Sequence, residues 1–145
     1  SGLGEAKADV MGAWNILYMM DKGILPAAEK KQIRATYVAG LFRAMRFGVG
    51  EAHGKGAAMQ YRFLREKGAL AWDEQARRFR IDEAKIDGAI RDLVGTIVRL
   101  QGNGDYAGVK AMLGKYAVLD PQAEQVVGAM KDIPTDILPV YPDRI

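Results

Sequence analysis

The stretch from Glu83 to Gln101, EAKIDGAIRDLVGTIVRLQ, constrains this chain more than any other. Its large aliphatic residues Ile86, Ile90, Leu93, Ile97 and Leu100 fall three and four apart, which is the repeat of an α-helix with one apolar face. Such a helix gains most of its stability from having that face covered, so the chain has to provide partners for it. Asp82 stands just before it as a cap, and GNGD at 102–105 breaks it.

The partners are legible as further helical segments. From Glu5 to Lys22 the apolar residues crowd nearly every side (Val10, Met11, Trp14, Ile16, Leu17, Tyr18, Met19 and Met20), which predicts a central, buried helix. Gly23 stops it, and Pro26 suits the first turn of the next helix. There Ile33, Tyr37, Gly40, Leu41, Ala44 and Phe47 make a single apolar stripe. A third helix runs from about Gly50 to Lys67, with Ala52, Met59, Phe63 and Leu64 as core candidates. Two shorter helices are expected from Tyr106 to Tyr116 and from Pro121 to Lys131.

Only ALAWDEQARRFRID changes period. Leu70 and Trp72, then Phe79 and Ile81, alternate about a polar turn, as a β-hairpin requires. The last residues, DIPTDILPVYPDRI, hold three of the five prolines and read as an extended tail on the surface. The expected fold is a single, mainly α domain over residues 1–145, with six helices, one short hairpin and that Pro-rich tail.

Composition removes several function classes. With no cysteine there is no disulfide, thiolate nucleophile or cysteine-bound zinc, and a single histidine cannot furnish the two or three imidazoles of a catalytic zinc site. The net charge of +3 comes from 21 basic and 18 acidic residues with interleaved signs, so no nucleic-acid partner is expected. No apolar run reaches the ~18–20 residues of a membrane span, so no membrane partner is expected either. There is no Nudix-type glutamate box and no Ser/His/Asp set. The opening SGLGEAKADVMG has no methionine start, basic region or cleavage site, and reads as the start of a portion of a longer chain.

Three candidate sites remain. Glu5 and Asp9 stand four apart, so a helix projects both carboxylates from one face. They form either a solvated, dipole-favoured first turn or half of a site. His53 lies among Gly48, Gly50, Gly54 and Gly56, a pattern that does not match a phosphate loop. Gly54 and Gly56 suggest close approach by another backbone or by a substrate, whereas the plain alternative is a surface histidine on a weakened helix. YRFLREK mixes basic and aromatic residues, but Tyr61 and Phe63 fall on different helix faces, so it reads as a solvated face.

Taken in order, these segments resemble the C-terminal part of the catalytic lobe of bacterial dipeptidyl peptidase III zinc metallopeptidases. GEAKAD resembles the family's Glu-Glu-x-x-Ala-Glu/Asp helix at all but its first position, where Gly4 stands. FGVGEAHGKGAAMQYRFLREKGAL resembles the helix carrying an Ala-His pair, and FRIDEAKIDGAIRDLVGTIVRLQGNGDYAGVKAMLGKYAV resembles the strand, long helix and Gly-Asp segment that follow. The resemblance implies Glu5 as a zinc ligand, Asp9 as the acid that orients a zinc-bound imidazole, and His53 as the catalytic histidine that stabilises charge on the attacked peptide carbonyl. It further implies that zinc is the cofactor of the longer protein and that the peptide substrate and the remaining peptidase lobe are its partners. No His-Glu-x-x-His or His-Glu-x-x-x-His occurs in the chain, so the portion alone is expected to be inactive, to bind zinc weakly or not at all, and to self-associate through an uncovered first helix. A cytoplasmic location goes with this reading. The rival is a non-catalytic helical interaction module.

Overall fold

The computed structural model describes residues 2–135 and 139–141. The elements run α1 (Gly2–Asp21), a 3-10 turn (Ala27–Glu29), α2 (Lys30–Met45), α3 (Ala52–Glu66), β1 (Leu70–Asp73), β2 (Arg78–Ile81), α4 (Ile86–Gly102), α5 (Tyr106–Tyr116), α6 (Pro121–Gly128) and a second 3-10 turn (Ala129–Asp132). The mainly α fold with one hairpin is the one the periodicities predict. The part of the tail at 136–138 and 142–145 lies outside the described residues.

Helix α3 sits at the centre, with α1, α2, α4 and α5 packed around it and β1 close by. Gly54, Gly56 to Tyr61, Phe63 and Leu64 are all buried. The expectation of a central, all-round buried α1 is corrected here. Its buried residues are Gly2, Leu3, Ala6, Val10, Ala13, Leu17 and Met20, a single stripe, while Met11 and Trp14 are half-buried and Tyr18 is exposed. Hydrophobicity alone promoted α1, whereas α3 earns its place by smallness. Glycine and alanine let neighbouring backbones approach closely, and a helix that four others can approach ends up inside.

Helix α2 differs from expectation in a way that matters for function. Its core residues are Val38, Leu41, Phe42 and Met45, about one residue round from the predicted stripe. Of that stripe only Leu41 is fully buried; Tyr37 and Ala44 are half-buried, Gly40 is open and Phe47 is 55% exposed. Two apolar stripes share the helix, and only one faces the core.

The hairpin pairs Leu70 with Ile81 and Trp72 with Phe79 in antiparallel register, as its alternation requires. Phe79 lies 5.2 Å from Phe42 and 5.4 Å from Tyr61 between ring centroids, which ties the hairpin to α2 and α3. Ile86, Ile90, Leu93 and Ile97 of α4 are buried as their spacing demands.

Candidate functional site

The site forms where the first turns of α1 and α3 meet. A Cβ on Gly56 would lie 2.8 Å from the Gly2 carbonyl oxygen and 3.0 Å from the Ala6 nitrogen, so only glycine allows this contact. A Cβ on Gly54 would lie 1.8 Å from the Gly48 carbonyl oxygen. The glycines beside His53 therefore receive the chain's own backbone: α1 against Gly56, the α2–α3 turn against Gly54. This decides between the two occupants that the sequence left open.

The close seam brings the predicted residues together. His53 Nδ1 stands 3.0 Å from Glu5 Oε2, with the imidazole three-quarters exposed. Asp9 and His53 both line a concavity of about 640 Å³ between α1, α2 and α3, which Glu5 touches only through His53. The wall opposite is the second stripe of α2, Tyr37, Gly40, Leu41 and Ala44, continued by Phe47 after the helix and edged by Thr36 and Arg43, and Glu51 also lines the cavity. The stripe that looked like core is thus the apolar wall of a cavity, with two carboxylates and an imidazole along its other side. Its size and its mixture of apolar wall and a few polar groups are those of a small-ligand site.

Asp9 is held by a residue that the sequence did not flag. Gln60, fully buried on α3, directs Nε2 to Asp9 Oδ2 at 3.4 Å and to the Gly56 carbonyl at 3.2 Å. Its Oε1 accepts from the Tyr37 hydroxyl at 2.7 Å. Burial pushes the Tyr37 phenol well above its ordinary range, and the charge of Asp9 adds to the shift, so the hydroxyl stays protonated and donates. A glutamine in the middle of an apolar helix is the one signal that could have marked it.

Carboxylate and imidazole are donors that suit zinc. Among the described residues, however, no group of three or more histidine, aspartate or glutamate side chains could hold a metal ion, so Glu5, Asp9 and His53 do not make a metal site by themselves.

The basic–aromatic stretch is not a solvated face. Tyr61 is buried and its hydroxyl meets both Asp120 oxygens at 2.8 and 2.9 Å. Arg62 and Arg65 reach Asp120 Oδ2 at 2.9 and 2.6 Å, and Asp120 caps α6 by accepting from the Ala123 N–H. Burial disfavours the charge on Asp120, but the Ala123 N–H, the Tyr61 hydroxyl and the two guanidinia outweigh it and hold the carboxyl below its ordinary range. Asp120 is met from within the fold by four partners, which makes it a structural knot. Among the described residues, no helix is long and apolar enough to cross a membrane.

No protein-family model matches the chain. It is 37% identical over 144 residues to Nudix hydrolase 3 of Arabidopsis thaliana, a match that covers 98% of this chain and 18% of the plant protein. Among solved structures, it superposes on dipeptidyl peptidase III from Caldithrix abyssi with a TM-score of 0.92 and 39% identity, over 97% of this chain and 27% of that one. Dipeptidyl-peptidase III from Corallococcus sp. strain EGB gives 0.89 and 34%, over 97% and 26%. The chain is therefore dipeptidyl peptidase III-like along almost all its length, and it spans roughly a quarter of the peptidase chains it matches.

Proposed function

We propose that this chain is the part of a zinc-dependent, dipeptide-releasing exopeptidase that lines one side of the peptide cleft. In this reading the longer protein removes dipeptides from the N-termini of short peptides. The placing of Asp9 and His53 on one concavity, with Glu5 in contact with His53 behind it, carries the proposal, together with the match to two peptidase structures over 97% of the chain. Glu5, together with residues outside this chain, would hold the zinc, which would supply a Lewis acid there.

The chain's own groups have separate tasks. Asp9 accepts from the free N–H of a ligand imidazole and fixes its ring. His53, whose Nδ1 stands beside Glu5 and whose ring is three-quarters exposed, has Nε2 as the nitrogen that would donate to the carbonyl oxygen as it becomes negative. The apolar wall of α2 excludes water on the far side.

In the full-length protein, Glu5→Ala should abolish zinc retention, measured by metal analysis after dialysis. His53→Ala should keep the metal and lower kcat by roughly 10²-fold, the loss typical of one oxyanion donor. Equal metal loss in both variants would overturn these assignments.

A second reading, a non-catalytic helical interaction module, rests on the uncovered side of α1, where Trp14 is half-buried and Tyr18 is 48% exposed. The coding sequence upstream discriminates: a His-Glu motif before Glu5 supports the peptidase, and its absence supports the module. The activity in the plant relative's name is not carried over, because the match spans 18% of that protein and the matched stretch holds no Nudix-type glutamate box.

A further inference from the structure

We infer that Tyr37 and Gln60 are positioning residues for Asp9: they form a one-directional hydrogen-bond chain that fixes one carboxylate oxygen and leaves the other facing the cavity. The inference rests on the reading given above in which Asp9 orients a ligand imidazole.

The direction of the chain follows from what each atom can do. Nε2 of Gln60 has two neighbours, the Gly56 carbonyl and the Asp9 carboxylate, and both only accept. The amide therefore cannot be turned over, and Oε1 must face Tyr37. An acceptor there requires a donor, and the Tyr37 hydroxyl provides it at 2.7 Å. Phenylalanine would fill the same space but would leave a buried amide oxygen unpaired.

The arrangement acts on Asp9 because so little else holds that side chain. Among the described residues, Gln60 is its hydrogen-bond partner and no cation pairs with it. At 3.4 Å that bond is at the long end, so it orients the carboxylate only if the amide itself is immobile. The Gly56 carbonyl and the Tyr37 hydroxyl immobilise it from two other sides. Burying a glutamine amide in a central helix is unfavourable unless all its bonds are made, and here they are made only with Tyr37 and Asp9 in place. Asp9 Oδ1 is then the oxygen presented to a donor entering the cavity.

The test uses the full-length, zinc-loaded protein carrying Tyr37→Phe, Gln60→Met or Asp9→Ala, and each of the first two combined with Asp9→Ala. The rate of zinc transfer to a chromogenic chelator is measured beside kcat and KM on a dipeptidyl arylamide, and folding is monitored by thermal melting. Gln60→Met should speed zinc loss by about 10-fold and Tyr37→Phe by about 3-fold, with kcat falling in parallel and KM within about twofold, the scale of losing an outer hydrogen-bond partner. In the Asp9→Ala background both effects should vanish, which a residue that merely supports the fold would not show.

Effects that multiply in that background would overturn the inference, as would single variants without effect when Asp9→Ala changes both readouts. If Asp9→Ala changes neither, the imidazole-orienting reading of Asp9 fails and the inference fails with it, a pattern distinct from the other two. Should Gln60→Met not fold, Tyr37→Phe, which removes one oxygen atom, still decides.

Discussion

The two ends of α3 carry ionisable groups in opposite circumstances. At its C-terminal end Asp120 is 8% exposed and takes hydrogen bonds from Tyr61, Arg62, Arg65 and the Ala123 N–H. At its N-terminal end His53 is largely exposed and meets Glu5, while Asp9 of α1, reached from Gln60 in the middle of α3, takes a single long hydrogen bond. The backbone shows the reverse. Around His53 it is tightly constrained, with Gly54 and Gly56 pressed on neighbouring main chain, whereas the knot at the other end is made by side chains. A group whose bonding capacity is used up internally holds the fold together. One placed by a rigid backbone but left with free lone pairs is available to something else. The contrast separates scaffold from site without reference to any relative.

The strongest attack on this contrast is at the backbone beneath the site. Gly54→Ala places a methyl 1.8 Å from the Gly48 carbonyl oxygen, which is main chain and cannot swing aside. We expect a loss of about 3 kcal/mol or more, seen as a fall in Tm of roughly 6–12 °C for a domain of this size. A melting temperature within 2 °C of the parent would mean that the turn before α3 is compliant, and the N-terminal end would lose its claim to a rigid frame.

Next in size is the knot. Asp120→Ala removes the α6 cap, leaves the Tyr61 hydroxyl buried without its acceptor and strips Arg65 of its anion, so about 2–4 kcal/mol should be lost at neutral pH. The deficit should also depend on pH. Asp120 ionises more readily in the folded chain than in the unfolded one, so the unfolded state binds more protons as the medium is acidified. Its contribution is complete above about pH 4 and disappears as the pH falls through the lower folded value. Denaturant unfolding of parent and variant at pH 7 and pH 3 should therefore show a smaller gap at pH 3. A constant gap would assign the loss to packing rather than to the charge.

Much of the scaffold could be read from the residues, and the reasons are local. The α4 stripe and the hairpin register are set by repeats of three to four and of two, which the chain obeys because each has one clear face to bury. Glu5 and Asp9 were legible as a pair because a helix fixes four-residue neighbours whatever lies beyond it. What could not be read depends on which helices meet. Trp14 and Tyr18 made α1 look central, but the small residues of α3 decide the packing. Tyr37 and Phe47 obey a core spacing yet face a cavity, since periodicity reports a helix face and not what covers it. The helix from Pro121 was legible, but the union of Asp120 with Tyr61, 59 positions away, exists only in three dimensions.

The smallest expected effect is the most discriminating for the site itself. If Glu5 and His53 are there for chemistry rather than for the fold, removing either should barely change stability. Their contact is between a largely exposed imidazole and a partly exposed carboxylate, and exposed ion pairs contribute about 0–1 kcal/mol because water and salt screen them and the side chains resist ordering. We therefore expect Glu5→Gln and His53→Ala, each in this 145-residue chain, to unfold within about 0.5 kcal/mol of the parent, with no added effect in the double variant beyond the same range. Denaturant titrations of the parent, the two single variants and the double variant make the check. A loss above about 2 kcal/mol in either single variant would put the pair in the same class as Asp120 and erase the distinction between the two ends of α3.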